Sequence, residues 1–458
     1  MSLSDHPKAY GTAALTVAFV AGIFVTLGFK DLYPELENRY QQRMKRNRNA
    51  RTSITRSSTA SSRRDSFLFG PVSLEDRESS ITTIDRGLGI VEGIEGTIGN
   101  TPLIKIRSLS EATGRIILAK AEFLNGAGNS PKDRVALNMI EVAEQQGLLV
   151  PNRGDTIYEG TVGSTGISLA VLARARGYKC HICMPSDMAI EKSELLHHLG
   201  ATVERVPPAP ITDPKHFVNL ARQRAKEHTA STDTPSRGFF ADQFESLANY
   251  TAHMKTTGPE IYEQTGGLID AFVAGAGTGG TISGVTKYLK EEKKLTNLKV
   301  VLADPQGSGL YNKIRHGVMY SSTEKEGTRR RQQVDTMVEG IGINRITENF
   351  ESARSLIDDA VRVTDVQALK MARWLVEHDG IFVGSSSAVN CVAAVVTALK
   401  MPKGSQVVTI LCDSGARHLS KFWKSVGEMG LEHNEEQMGG EKEEDLVKVL
   451  GLEKPAQK

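Results

Sequence analysis

Cysteine is scarce in this chain: there are four in 458 residues, with no spacing that reads as a disulfide framework. That excludes a disulfide-stapled secreted scaffold and points to a reducing compartment. Aromatic residues make up 6%, and none falls between Arg43 and Arg64, where basic residues are densest. With no stacking side chains among those arginines, nucleic-acid binding is not expected. No arginine precedes Arg39, which excludes an Arg-rich transit peptide, and no acidic residue lies between Arg39 and Arg64. No internal repeat is present. The formal charge of +2 is a near-cancellation of this basic block against a Glu-rich stretch after Glu428, so net charge excludes little. The apolar and charged fractions, 39% and 24%, are those of a globular chain. The length allows two or three domains' worth of core.

Residues 12–29 carry no charge and are mostly apolar, including Leu15, Val17, Phe19, Val20, Ile23, Phe24, Val25 and Leu27. As a helix, roughly 18 residues reach about 27 Å, enough for a bilayer core. The preceding segment has Asp5 and only Lys8, so it lacks the basic region of a cleaved signal peptide. A retained transmembrane anchor is expected, with the basic C-terminal flank holding the rest of the chain in the cytosol. A short anchor of moderate hydrophobicity suits a thin bilayer: the mitochondrial outer membrane, with the endoplasmic reticulum as the alternative. The expected division is a tail over 1–11, an anchor over 12–29 and a basic Ser/Arg-rich linker over 30–87. A catalytic domain over 88–426 and an acidic polar tail over 427–458 follow, the tail with one short helix near residues 444–450.

Within 88–426, β-rich runs at 115–119, 156–158, 179–184, 269–274, 299–303 and 407–411 alternate with helical patterns at 134–146, 166–176 and 190–199. This alternation predicts an α/β fold with largely parallel sheets covered by helices on both faces.

Four motifs carry chemistry. Lys132 heads an apolar helix behind the glycine turn Asn125-Gly126-Ala127-Gly128, a place for an amine that must be held inside a domain. Glu159-Gly160-Thr161-Val162-Gly163-Ser164-Thr165-Gly166 follows a strand and opens a helix, where amide and hydroxyl donors suit a carboxylate; a simple capping turn is the plain alternative. Gly275-Ala276-Gly277-Thr278-Gly279-Gly280-Thr281 also joins a strand to a helix and suits a phosphate. A dinucleotide is its rival, although the turn comes late in the chain rather than in an opening βαβ unit. Cys412-Asp413-Ser414-Gly415-Ala416-Arg417 ends the last buried strand and puts a hydroxyl at a strand's C-terminal end. Cys180-His181-Ile182-Cys183 lies inside a strand-like run with no second pair, so both cysteines are read as core and no metal is expected.

In this order, the motifs resemble the fold type II pyridoxal-phosphate enzymes, and most closely their cysteine synthase and cystathionine β-synthase branch. Ile98-Gly99-Asn100-Thr101-Pro102-Leu103 resembles the family's opening; Ser130, Lys132, Asp133 and Arg134 resemble its Schiff-base motif. The resemblance implies two open twisted α/β subdomains with pyridoxal 5'-phosphate between them, behind the N-terminal transmembrane helix. It implies that Lys132 binds the cofactor covalently and acts catalytically. Gly277, Thr278, Gly279, Gly280 and Thr281 would hold the phosphate, Ser164 the 3'-oxygen, and Ser414 the pyridine nitrogen. Thr161, Gly163, Thr165 and Gln243 would hold the substrate carboxylate, with Asn249 and His253 in the same segment. Gly342, in Glu339-Gly340-Ile341-Gly342, would lie at the mouth.

Two departures stand out. Gly126 replaces the family's proline, with one residue added before Lys132, and Val162 stands where a hydroxyl is usual. The implied reaction is β-replacement of O-acetyl-L-serine by sulfide, giving L-cysteine and acetate, in a homodimer. A hydroxyl at the pyridine nitrogen, unlike an aspartate, would favour prompt elimination over transamination. Open alternatives are a cystathionine β-synthase-like or serine/threonine dehydratase activity, and a catalytically weak membrane scaffold that keeps the fold.

Overall fold

The computed structural model describes residues 90–188, 190–319, 336–431 and 445–452. The expected anchor (12–29) and linker (30–87) lie outside the described residues. Among the described residues, no helix is long and apolar enough to cross a membrane.

Among the described residues the first strands are an antiparallel pair, β1 (Leu103–Lys105) and β2 (Ile116–Ala121). The chain then builds β3 (Thr156–Gly160), β4 (Lys179–Pro185), β5 (Thr202–Val206) and β6 (Gly238–Phe240) elsewhere. It returns with β7 (Ala271–Gly275), β8 (Lys299–Pro305), β9 (Asp359–Val363) and β10 (Gln406–Leu411). Two sheets result. One has the order β1-β2-β10-β7-β8-β9 and is parallel apart from β1; the other, β5-β4-β3-β6, is wholly parallel.

The helices that matter for the site are α1 (Lys132–Gln145), α2 (Ser164–Ala175), α3 (Ile190–His198), α4 (Phe217–Ala230), α5 (Ala248–Lys255) and α6 (Gly280–Thr286). Later come α7 (Asp365–Asp379), α8 (Ser385–Leu399) and α9 (Leu446–Val449). The central strands are buried on both faces, as parallel sheets require: every residue of β2, β3 and β10 is buried. α8 is apolar nearly all round and packs among β7, β10 and α7. α7 starts on a capping box, Thr364 and Gln367 exchanging hydrogen bonds.

The strongly apolar runs appear as strands, with ends one or two residues from the expected ones. β1, β5, β6 and β9 were not foreseen. β1 and β6 are three residues long. β5 carries the charged pair Glu204-Arg205, which hides its strand character. The C-terminal stretch is not purely polar. Leu446 and Leu450 are buried in the large-sheet core, and Lys370 Nζ donates to Val449 O at 3.0 Å. The packed body therefore extends beyond Val426.

Candidate active site

A cavity of about 950 Å³ opens between the two sheets, lined by loops that leave the C-terminal ends of β3, β7 and β10. This is where open α/β sheets place ligands. Lys132, Thr161 to Thr165, Gln243, Gly277 to Thr281 and Gly342 all line it.

Lys132 is half-buried at the start of α1. The turn before it is fixed by contacts that only glycine permits. A Cβ at Gly128 would lie 2.6 Å from Asp133 Oδ1 and from Ser168 Oγ, the two atoms that hydrogen-bond to each other beneath the turn. A Cβ at Gly126 would lie 1.8 Å from Thr97 Oγ1, so the residue replacing the family's proline is dictated locally by Thr97. Asp133 Oδ1 also accepts the Gly128 N–H at 2.7 Å. Two residues past the lysine, Arg134 is clamped by Glu122 and Glu260. Burial alone would raise the Glu122 carboxyl, but the Arg134 charge and its hydrogen bonds hold it at about 2. The clamp is therefore ionic throughout the physiological range.

The phosphate candidate is built from the end of β7 into α6. Gly279 takes a left-handed φ of 85° and its Cβ would strike Phe350; a Cβ at Gly277 would lie 2.4 Å from Gly340 O. At Gly280 it would lie 1.8 Å from Asn249 Oδ1. The loop is thus bare backbone at the head of a helix, where first-turn N–H groups lack intrahelical partners. Its two hydroxyls are braced from behind. Asn249 Nδ2 donates to Thr278 Oγ1 at 2.9 Å, and His253 Nε2 meets Thr281 Oγ1 at 3.2 Å. Burial pushes His253 down to about 3, so it stays neutral beside the loop. A compact cradle of three glycines and two hydroxyls fits a phosphate monoester, and a lysine amine on the same cavity fits an aldehyde.

The carboxylate candidate runs from β3 into α2. Thr161 N donates to Cys183 O at 3.1 Å, and Thr161 Oγ1 accepts the Gly163 N–H at 3.4 Å. Thr165 Oγ1 donates to Gln243 Oε1 at 2.6 Å, joining the loop to Gln243. Ser164 opens α2 on the cavity wall. Gly342, with φ 87°, packs its Cα against Pro305, and its N–H donates to Ala276 O at 2.9 Å. Beside it, Glu339 Oε2 takes Lys192 Nζ of α3 at 2.6 Å, a bridge across the mouth.

Ser414 follows β10, and its hydroxyl accepts the Ala416 N–H at 3.3 Å, capping the turn Gly415–Arg417 while keeping its own proton to donate. A buried hydroxyl on the cavity wall is Ser386, at the head of α8. Sequence reasoning passed over it because Gly384-Ser385-Ser386-Ser387 reads as an ordinary helix start.

Cys180 and Cys183, three apart on β4, face opposite sides of the sheet. Burial pushes both thiols up to about 12, and Cys183 lies beside Glu204, which is already held by Arg224 and His181.

The family model described as "Pyridoxal-phosphate dependent enzyme" matches residues 94–413. The chain belongs to the pyridoxal-phosphate-dependent enzyme family. Its cofactor is accordingly pyridoxal 5'-phosphate, in agreement with the cradle and the lysine. A protein named cysteine synthase 2, from Neurospora crassa, is 74% identical over 456 residues, 99% of each chain. A Saccharomyces cerevisiae protein with the provisional name of a mitochondrial cysteine synthase is 57% identical over 338 residues, 74% of this chain and 85% of that one. The crystal structure of O-ureido-L-serine synthase superposes with a TM-score of 0.64 at 30% identity, covering 77% of this chain and all of that one.

Proposed function

We propose that this enzyme makes L-cysteine by β-replacement: O-acetyl-L-serine and sulfide give L-cysteine and acetate. The observation that carries the reading is one cavity wall presenting three things together. These are the Lys132 amine, a glycine cradle for a phosphate, and a hydroxyl-bearing loop for a carboxylate. The cysteine synthases among its relatives support the same reaction.

Bound pyridoxal phosphate supplies an electron sink for the charge left when a Cα–H bond breaks. The protein does the rest. Gly277 to Thr281 hold the phosphate, with Asn249 and His253 keeping Thr278 and Thr281 in place. Thr161, Gly163 and Thr165, with Gln243 behind them, hold the substrate carboxylate. Lys132 would take the Cα proton as general base. Acetate leaves from Cβ with its C–O bond pair, hydrosulfide forms the new C–S bond, and Lys132 returns the proton to Cα. Ser164 would reach the cofactor's 3'-oxygen and Ser414 its pyridine nitrogen, with Ser386 a further hydroxyl on the cavity wall. The apolar side chains Met184, Leu196 and Ile341 keep water from the reacting carbons. Assay of the purified holoenzyme with O-acetyl-L-serine and sulfide is the test: stoichiometric cysteine and acetate support the reading, and their absence at saturating substrate refutes it.

Residues 12–29, uncharged and apolar before a dense basic flank, would anchor the catalytic body on the cytosolic face of the mitochondrial outer membrane. The mitochondrial name of the yeast relative agrees with the organelle. Carbonate extraction with protease added to intact organelles tests it: release by carbonate, or protection of the catalytic body, would overturn it. A homodimer is expected as for the family, and sedimentation tests it.

A further inference from the structure

Glu159, at the end of β3, is fully buried, and no basic side chain pairs with it among the described residues. Both its oxygens are spent on Gln243. Oε2 accepts the Gln243 backbone N–H and Oε1 accepts Nε2, each at 3.3 Å. Nε2 also points at Gly160 O, 3.4 Å away. Held this way, the Gln243 amide turns its oxygen to the cavity side, where it accepts the Thr165 hydroxyl. The chain thus runs in one direction, from Thr165 to Gln243 to Glu159. Thr165 has given its only proton away and offers the cavity lone pairs alone.

A carboxylate ligand needs donors. Thr165 supplies one only if the amide turns over, so that Nε2 donates to Thr165 Oγ1 and frees the hydroxyl proton. The amide oxygen then faces Glu159, which is tolerable only when Glu159 itself carries a proton to donate. We propose that Glu159 is a positioning residue whose proton sets the direction of the Gln243–Thr165 hydrogen-bond chain. Through that chain it decides whether the loop donates to the substrate's carboxylate. The inference rests on the reading above that Thr161 to Thr165 hold that carboxylate.

The surroundings favour such a proton. Burial first, and the charge of Asp242 second, push Glu159 up to about 8. Asp242 is itself shared with Arg222, at 3.2 Å. From β4 the facing group is the Cys180 thiol, and Cys183 lies on the sheet's other face; burial keeps both protonated. On the helical side, α2 contributes the uncharged Thr165 and Ser168, and the acid of α1, Asp133, is engaged by Ser168 and Gly128. Below about pH 8 Glu159 is protonated and the loop donates; above it the loop is turned inward.

Propionate, a carboxylate with no amine to titrate, is the probe, its Kd measured on the holoenzyme by calorimetry. One lost hydrogen bond weakens binding about fivefold, the expected change between about pH 6.5 and about pH 9.5. Glu159→Gln always has a donor for the amide oxygen, so its Kd should stay at the tight end and change less than about twofold. Thr165→Val, which has no hydroxyl to turn, should stay at the weak end at both pH values. A wild-type Kd that does not change, no propionate binding at any pH, or the same pH dependence in both variants would overturn the proposal. Failure to form cysteine while propionate behaves as expected would overturn the reaction instead.

Discussion

Arg134 and Glu260 meet face to face: Nη1 reaches Oε1 at 2.6 Å and Nη2 reaches Oε2 at 2.8 Å. Lys120 Nζ holds the same carboxylate at 2.6 Å, and Glu122 grips the other edge of the guanidinium. The helix that Lys132 opens is therefore tied to β2 and to the helix Thr257–Gln264 through charges out of water. Arg134→Ala leaves two carboxylates underpaired. It should cost about 3–5 kcal/mol in denaturant unfolding, the range for breaking a buried pair. A loss below about 1 kcal/mol would mean that water or Lys120 takes over the arginine's role.

The phosphate cradle makes a steric prediction. Gly280→Ala puts a methyl 1.8 Å from Asn249 Oδ1, inside the brace of Thr278. Affinity for pyridoxal phosphate, followed by fluorescence titration of the apoenzyme, should fall more than about tenfold, the equivalent of losing one or two good hydrogen bonds. Unchanged affinity would move the phosphate elsewhere.

Ser414 carries the proposed contact to the pyridine nitrogen, and its hydroxyl also caps the turn Gly415–Arg417. Ser414→Ala should cost about 0.5–2 kcal/mol of stability and shift the visible spectrum of the holoenzyme. An unchanged spectrum would overturn the contact.

Glu159 also predicts a pH effect on stability. Its folded carboxyl titrates near 8, above the ordinary 4.5, so the folded state holds a proton that the unfolded chain has released. The stability this contributes is complete at acid pH and is lost as pH rises through about 8. Glu159→Gln should therefore melt increasingly above wild type from about pH 5 to about pH 9, by an amount on the order of a few kcal/mol. Parallel melting curves across that range would show that the carboxyl titrates normally.

The sequence was readable where one residue type had to serve one local purpose. The glycines at 277, 279 and 280 and the lysine at a turn–helix junction carry their roles in their identity. Asn249 and His253 matched a motif before their purpose, bracing Thr278 and Thr281, was visible. What stayed hidden depends on tertiary contact. Ser386 reads as an ordinary helix start, and only the packing of α8 against β10 brings it to the cavity wall. Glu159 looked like part of a strand; its meaning comes from Gln243, 84 residues away. β5 was hidden by Glu204 and Arg205, whose charges are satisfied by Arg224 and by backbone carbonyls.

The central claim is that Lys132 carries pyridoxal phosphate in this cavity. Borohydride reduction of the holoenzyme, followed by peptide mass spectrometry, reads the attachment directly. The account predicts one phosphopyridoxyl group per chain, on the peptide containing Lys132, and none on Lys132→Ala. A label on Lys120, Lys192 or any other lysine, or no label on a holoenzyme saturated with cofactor, would contradict it.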